Sequence, residues 1–236
     1  MSIVILHVLC EGQTEEQFAR KVLKNHLQAF NIAVKQTVLL TNPKKGAQGG
    51  ILNYSNQVKR DLKLLFKQNS SSSNNYEKHF YTTMFDLYAL PKDFPGYEKA
   101  ENCQDCYNKV KILEEAFRDD IQNPQFIPYI QLHEFEALVF CGLDYFTDED
   151  PTTAEAVEEM KKVLVQYDDN PEKINNGCQT APSKRIICEM EKINRSYNKP
   201  KYGSEITQYV GISSLMSKCS HFREWIERLE KLQSLI

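Results

Sequence analysis

Residues 3–18 read IVILHVLCEGQTEEQF, and this stretch decides the fold class. Residues 3–10 form a nearly unbroken apolar run, which is typical of a central strand in a parallel sheet that is covered on both faces. Thr14 and Gln17 have the spacing of a capping box, and apolar residues recur at helical spacing from Phe18 onward. The stretch therefore predicts a strand, a tight Glu-Gly turn and a helix.

Strands and helices continue to alternate along the chain. Further strands are predicted at residues 34–40, 79–87 and 126–132, with helices at residues 52–66 and 104–121 between them. Beyond His133 the patterns are almost all helical, with helices near residues 153–167, 182–195 and 220–234. Strands separated by helices imply parallel crossovers. We therefore predict an α/β fold with a Rossmann-like, mainly parallel sheet, helices on both faces and a helical C-terminal region.

Composition narrows the class of protein. The chain has 236 residues and a net charge of -3, so its overall charge does not indicate a nucleic-acid-binding protein. A nucleic acid or other polyanion would have to bind to a local cluster of basic residues. Seven cysteines without framework spacing read as reduced thiols. The apolar start is too short for a membrane span and lacks the features of a signal peptide. We expect a cytoplasmic protein with no membrane segment.

Acidic residues follow three of the predicted strands. Glu11 ends the first, Asp86 ends the third, and Glu134 with Glu136 follows the fourth. Ligand sites gather beyond the carboxyl ends of parallel strands, and hard divalent cations prefer clustered carboxylate oxygens. Glu15 lies in the first turn of a helix, where the macrodipole favours acids, so a site role and a structural role are both open for it.

Three further features are weaker candidates. The loop that holds Lys44 and Lys45 is rich in glycine but fits no Walker motif, so we interpret it as a substrate-facing loop. Ser183, Lys184 and Arg185 stand near a predicted helix start, where they can hold a phosphate or form a solvated face. His133 is a candidate ligand or general base, although a lone histidine is more often structural.

Five short motifs carry a resemblance that covers nearly the whole chain. They are EGQTE at 11–15, DLYALPKDFPG at 86–96, HEFEAL at 133–138, PEKIN at 171–175 and APSKRI at 181–186. With these motifs the chain resembles a family of domain-of-unknown-function proteins that is grouped with the TOPRIM superfamily. That family is related to the TOPRIM part of overcoming-lysogenization nucleases and is often found beside ABC- or SMC-type ATPases in bacterial defence loci.

The resemblance implies a TOPRIM-like core over residues 1–145, with a helical extension over residues 146–236 packed on it. It implies Mg²⁺ or Mn²⁺ held by Glu11 and Asp86, with Glu134 and Glu136 as further ligands. Glu15 or Glu134 would complete the shell. TOPRIM enzymes use an Asp-x-Asp pair, but Tyr88 stands where the second aspartate would be, and Asp93, Glu134 or Glu136 would replace that aspartate.

Two functions follow as expectations. The first is a metal-dependent nuclease that acts on DNA or RNA, binds it through Lys44, Lys45, Ser183 and Arg185, and neutralises the scissile phosphate with Lys184 or Arg185. The resemblance also implies anti-phage defence with an ATPase partner, and it leaves a homo-oligomer open. The alternative is a non-catalytic, TOPRIM-like regulatory or partner-binding subunit, which Tyr88 favours. Under that alternative, the apolar stripe of Phe222, Trp225, Ile226 and Leu229 is either core or a partner surface.

Overall fold

A parallel β-sheet forms the centre of the protein, for which the computed structural model describes residues 3–42, 47–70, 76–174 and 180–236. In chain order the strands are β1 (Ile3–Cys10), β2 (Ile32–Val38), β3 (Leu40–Asn42), β4 (Ala47–Gln48), β5 (Glu77–Asp86), β6 (Phe126–Ile127) and β7 (Ile130–Gln131). β1 lies between β2 and β5, and both β6 and β7 pair with β5, all in parallel. β3 and β4 form a separate antiparallel pair.

Twelve α-helices are present in the described ranges. They are α1 (Gln13–Phe18), α2 (Lys24–Gln28), α3 (Lys59–Ser70), α4 (Tyr97–Glu101), α5 (Cys106–Ile121), α6 (Glu136–Val139), α7 (Asp144–Glu149), α8 (Ala154–Gln166), α9 (Pro182–Lys192), α10 (Lys199–Val210), α11 (Ile212–Lys218) and α12 (Ser220–Glu230). A π-helical turn, Ala19–Leu23, joins α1 to α2 without a break. No helix of the described part of the chain is long and apolar enough to cross a membrane.

Both faces of the sheet are covered, which confirms the predicted α/β fold. Val4, Leu6 and Val8 of β1 are fully buried in a core shared with α1, α2 and the C-terminal helices. Leu9 belongs to a second core, on the opposite face, that α3 and α5 complete. Burial of alternate β1 side chains on both faces is the arrangement that its unbroken apolar run predicts.

The C-terminal helix α12 docks on the sheet through its apolar stripe. Phe222, Trp225, Ile226 and Leu229 are at most 2% exposed, so the suggestion that this stripe forms a partner surface is wrong. The Trp225 indole donates to Thr82 Oγ1 over 2.9 Å, and its ring stacks on Tyr129 with centroids 4.1 Å apart. Burying each such large side chain stabilises the fold by roughly 2–3 kcal/mol.

Two local predictions are wrong, and two helices were missed. The Thr14–Gln17 capping box does not form, because α1 begins at Gln13 and the Glu15 carboxylate accepts the Gly12 backbone N–H over 2.8 Å. The predicted strand at 126–132 is divided into β6 and β7, since Pro128 lies between them and has no N–H for a ladder bond. Helices α10 and α11 were not predicted individually.

Candidate metal centre

The carboxyl ends of β1 and β5 place two acids side by side. The two strands pair in parallel with Cys10 opposite Met84, so the residues that follow them leave the sheet together. The Glu11 carboxylate accepts the backbone N–H of Asp86 over 2.9 Å. This bond links the two strand ends directly and fixes the direction in which Glu11 points.

A sharp bend at His133 brings in two more acids. His133 has a φ of 62°, a left-handed conformation that is uncommon for a residue with a side chain. The bend ends β7 and turns the chain into α6, and the Phe135 N–H then donates to Asp86 Oδ1 over 2.9 Å. Phe135 itself packs in the core. Glu134 and Glu136, on either side of it, are therefore held at the strand ends.

Three carboxylates converge at this point. Asp86, Glu134 and Glu136 each offer an oxygen, and these oxygens lie within 4.8 Å of one another. The residues are 6%, 0% and 1% exposed. Like charges buried so closely repel one another and are poorly solvated, so such a cluster is stable only with protons or cations beside it.

The start of α9 provides part of the compensation. Ser183 donates twice to Glu134, from its backbone N–H to Oε1 and from its hydroxyl to Oε2 over 3.0 Å. The N-terminus of a helix favours a negative charge because its first N–H groups have no partners within the helix. Ser183 is thus buried and engaged by Glu134, while its predicted contact with substrate stays a prediction.

Lys199 supplies the positive charge of the site. It is the first residue of α10, and its ammonium nitrogen lies 3.3 Å from Glu136 Oε1 and 3.7 Å from Glu134 Oε2. The Tyr197 hydroxyl also reaches Glu136 Oε1, over 3.5 Å. The sequence reasoning missed Lys199. Asn198 followed by Pro200 is a helix-start signal, but nothing local indicates which acids that helix start meets.

Burial dominates the titration of the site. Burial raises the pKa of Glu11 to about 7, although the hydrogen bond from the Asp86 N–H opposes the rise. Burial also raises the pKa of Glu15 to about 7, and the negative charge of Glu11 adds to that rise. Burial raises the pKa of Glu136 to about 7 as well, although Lys199 opposes the rise. It raises the pKa of Asp86 well above its usual range, with Glu11 and Glu15 adding to the shift. The site therefore holds protons in the weakly acidic range, and a bound cation would compete with them.

Three other residues singled out in the sequence, Glu15, Tyr88 and His133, lie near the carboxylate cluster but are not part of it. Glu15 is buried beside Glu11, but its carboxylate is turned back to the Gly12 N–H. Tyr88 is 47% exposed, and its backbone N–H donates to the His133 carbonyl over 3.1 Å. Neither ring nitrogen of His133 has a partner in the described part of the chain, and burial lowers the pKa of its imidazole to about 4. His133 is therefore neutral at pH 7.

Within the described ranges, Lys184 and Arg185 form no ion pair with the acids of the cluster. Lys184 is exposed on α9, and Arg185 donates to the Thr180 carbonyl over 2.8 Å and lies 6.0 Å from the centre of the Tyr167 ring. Lys44 and Lys45 lie outside the described residues. Their predicted roles in substrate binding stay predictions.

The side chains that converge fit a hard divalent cation. The donors are carboxylate oxygens, which Mg²⁺, Mn²⁺ and Ca²⁺ prefer over sulfur or nitrogen ligands. Their burial excludes competing water, and their mutual repulsion is the cost that a cation relieves. The buried Asp/Glu cluster can therefore hold a metal ion, and its oxygen set does not by itself choose between Mg²⁺ and Mn²⁺.

Comparison with known proteins gives one family and two distant structures. No curated protein matches the chain at a significant level. Two solved structures of the C-terminal region of the OLD protein from Xanthomonas campestris pv. campestris, phased with iodine and with mercury, match at 18% identity and a TM-score of 0.39. The matches cover 100% of this chain and 97% or 98% of the other, a likeness too distant to carry an argument about activity.

The family match is more extensive. The model described as "Domain of unknown function (DUF4276)" matches residues 10–230. This range contains Glu11, Asp86, Glu134, Glu136 and Lys199, so every residue of the acidic site lies within the family's own extent. The chain therefore belongs to the DUF4276 family.

Proposed function

We propose that the protein is a nuclease that cleaves phosphodiester bonds with a divalent cation, Mg²⁺ or Mn²⁺. The observation that carries this proposal is the buried convergence of Asp86, Glu134 and Glu136 oxygens within 4.8 Å at the carboxyl ends of parallel strands. The resemblance of the motifs to TOPRIM proteins supports the same reaction class. A carboxylate cluster of this kind has no evident structural purpose, because apolar side chains would stabilise the same position better.

Asp86, Glu134 and Glu136 would hold the cation, and Glu11 would flank it through its bond to the Asp86 N–H. When bound, the cation would activate water and neutralise charge on the leaving oxygen. Glu15 lies close enough to Glu11 for the charge of each to matter to the other. In this proposal Glu15 sets the charge of the site and touches no substrate.

Among the residues that the structure describes, Lys199 is the cation best placed to meet a phosphate. Its side chain is 37% exposed while its acidic partners are at most 2% exposed, so the ammonium stands between the buried acids and solvent. Burial alone would lower the pKa of Lys199, but Glu136 and Glu134 together raise it, so the side chain stays charged. A fixed ammonium at this position stabilises the charge that develops on a phosphoryl oxygen. Lys184 and Arg185 remain proposed contacts for more distant phosphates.

The cellular setting is part of the same proposal. We take from the motif resemblance that the protein acts with an ABC- or SMC-type ATPase partner in anti-phage defence, on DNA or RNA. Affinity purification from cells that carry the neighbouring genes tests this directly. Recovery of an ATPase in stoichiometric amount supports the partnership, and recovery of the protein alone at native expression contradicts it.

Tyr88 favours a second candidate, a non-catalytic regulatory or partner-binding subunit. It occupies the place of the second TOPRIM aspartate, and it is about half-exposed. Burial raises the pKa of that phenol, with Asp86 adding to the shift, so Tyr88 provides no anionic ligand near neutral pH. Under this candidate the acids stay protonated or paired with Lys199. No divalent cation would then bind at micromolar to low millimolar concentrations.

Cleavage assays with matched variants separate the two candidates. Single- and double-stranded DNA and RNA are incubated with Mg²⁺ or Mn²⁺ and with the wild type, Asp86→Asn or Glu134→Gln. We expect both variants to fold and to lose cleavage by about 100-fold or more, as removal of charge-stabilising groups generally does. Cleavage that both variants retain at the wild-type rate contradicts the proposed site.

Glu15 and Glu16 provide the internal control. They are adjacent in the first turn of α1, but Glu15 is buried beside Glu11 whereas Glu16 lies at the surface near Arg20, with 3.6 Å between the charged atoms. Glu15→Gln should change the pH dependence of cleavage, and Glu16→Gln should leave it unchanged. Identical behaviour of the two variants would exclude the proposed electrostatic role of Glu15.

A further inference from the structure

A small cavity lies beside the metal centre and is not part of it. It has a volume of about 120 Å³ and opens between the 3-10 turn Leu87–Ala89, α4 and α5. Its floor is apolar and consists of the buried side chains Leu87, Leu90, Ala100 and Leu113. Tyr88 lines its wall, two residues after Asp86, and is bonded through its backbone to the residue before Glu134. The cavity and the acids are therefore neighbours at one edge of the sheet.

The rest of the cavity lining is aromatic or charged. Tyr97 adds a second aromatic side chain, and Lys109 and Glu101 stand among the lining residues. Within the described ranges, neither Lys109 nor Glu101 forms an ion pair or a side-chain hydrogen bond. The cavity thus offers one free donor and one free acceptor above an apolar floor. That combination is typical of a site for a flat polar ring rather than for an aliphatic ligand.

The volume limits the occupant. An engineered cavity of about 150 Å³ in another protein admits one benzene ring. A single six-membered ring therefore fills a space of about 120 Å³ most closely, and the second ring of a purine would extend through its open side into solvent. A pyrimidine base has this size, carries carbonyl oxygens for an ammonium, and carries an N–H or amino group for a carboxylate.

We propose that this cavity receives the base of one unstacked pyrimidine nucleotide adjacent to the scissile phosphate. This inference rests on the proposed nuclease function and names its substrate class. A base inside a duplex is stacked and paired, so the substrate must be single-stranded or locally opened where it is cut. Lys109 and Glu101 read the edge of the base, and Tyr88 forms the wall between the base and the acids. Tyr88 then has a purpose that an aspartate would not serve.

Binding of free nucleosides tests the cavity without any catalysis. Saturation-transfer NMR is recorded for cytidine, uridine, adenosine and guanosine with the full chain and no divalent cation. We expect transfer to the pyrimidine base protons and at least five-fold less transfer to the purines. Lys109→Ala should reduce the pyrimidine signal at least five-fold. Lys111→Ala, which changes a lysine of the same helix outside this cavity, should leave it unchanged. Equal transfer to purines, or no effect of Lys109→Ala, overturns the proposal.

A variant that fills the cavity gives a second test. Leu113→Phe should abolish saturation transfer to the pyrimidine base protons. If Leu113→Phe fails to fold, the variants Lys109→Ala and Glu101→Ala still test the proposal. Glu98→Ala on α4 is the matched control for Glu101→Ala. Retention of the full pyrimidine signal in Glu101→Ala likewise excludes the proposed contacts with the edge of the base.

Cleavage of single-stranded oligonucleotides separates this inference from the nuclease proposal. We expect faster cleavage in pyrimidine tracts than in purine tracts, and loss of that preference in Lys109→Ala with unchanged Mn²⁺ affinity. Cleavage with no base preference, equal in wild type and Lys109→Ala, overturns the cavity assignment and leaves the nuclease function standing. Pyrimidine binding without cleavage of any nucleic acid overturns the nuclease function, and with it the placement of the base beside a scissile phosphate.

Discussion

Replacing Lys199 with methionine removes the only ammonium that contacts the acidic cluster in the described part of the chain. Methionine keeps much of the unbranched apolar stem, so the change is mainly one of charge. The lost ammonium lies 3.3 Å from Glu136 and 3.7 Å from Glu134, whose side chains are at most 2% exposed. The two carboxylates then face each other and Asp86 without a compensating cation.

The expected loss of stability follows from these burial values. Removing one partner of a fully buried ion pair costs about 3–5 kcal/mol. The Lys199 side chain is 37% exposed, so solvent screens part of its interaction, and we expect a loss of about 1–3 kcal/mol at pH 8 without divalent cations. For a chain of this length, each kcal/mol corresponds to a decrease of about 2–4 °C in Tm.

The pH dependence of this loss distinguishes charge from packing. The pKa of Glu136 and of Glu11 is about 7, so both carboxyls are largely protonated at pH 5.5 and have little need of an ammonium. The loss in Lys199→Met should therefore shrink to below about 1 kcal/mol at pH 5.5. Urea unfolding at both pH values measures it, with Lys192→Met as an exposed ion-pair control that changes little at either. An equal loss at pH 5.5 and pH 8 would refute the electrostatic reasoning.

Three further predictions concern the site and its supports. Because the pKa values of the buried glutamates are raised to about 7, the metal-free protein should lose stability as pH rises from about 4.5 to 7 and keep a constant stability above pH 7. Mn²⁺ should restore stability more at pH 8 than at pH 6, and unfolding curves with the opposite pH dependence would contradict this expectation. Gly203→Ala should lower the free energy of unfolding by about 1–3 kcal/mol and slow cleavage, because a Cβ at this position would lie 2.7 Å from Thr14 Cγ2 and 2.9 Å from Phe135 Cε1 and would push α10 away. Urea unfolding identical to that of the wild type would refute this prediction. Glu172→Gln weakens the acceptor of two backbone N–H groups at the start of α12, so it should lower the free energy of unfolding by about 1–3 kcal/mol. Calorimetry should show an unchanged Mn²⁺ affinity in this variant.

Local sequence signals predicted the central strand and the positions of the acids. The apolar run at residues 3–10 corresponds residue for residue to β1, because a strand buried on both faces leaves a pattern that few other elements share. Glu11 and Asp86 follow from the general rule that parallel strands present their carboxyl ends at one edge. The bend at His133 was not predictable, because a left-handed conformation at a histidine has no reliable sequence signal.

The features of the site that the sequence did not predict depend on contacts between distant parts of the chain. Lys199 reaches Glu134 and Glu136 only because α10 packs closely against α1, where Gly203 leaves room for Thr14 and Phe135. Sequence reasoning gave the phosphate-neutralising role to Lys184 or Arg185, which belong to a recognisable motif, and that role stays a prediction. The resemblance implied that Glu11 and Asp86 hold the metal with Glu134 and Glu136 as further ligands, and the structure brings oxygens of Asp86, Glu134 and Glu136 within 4.8 Å of one another.

Anomalous scattering from crystals grown with Mn²⁺ tests the metal centre most directly. We predict a manganese peak within about 2.5 Å of carboxylate oxygens of Asp86, Glu134 and Glu136, the bonding range of hard cations to oxygen, and loss of that peak in Asp86→Asn. A wild-type crystal saturated with Mn²⁺ that shows no peak among these three residues would contradict the central claim.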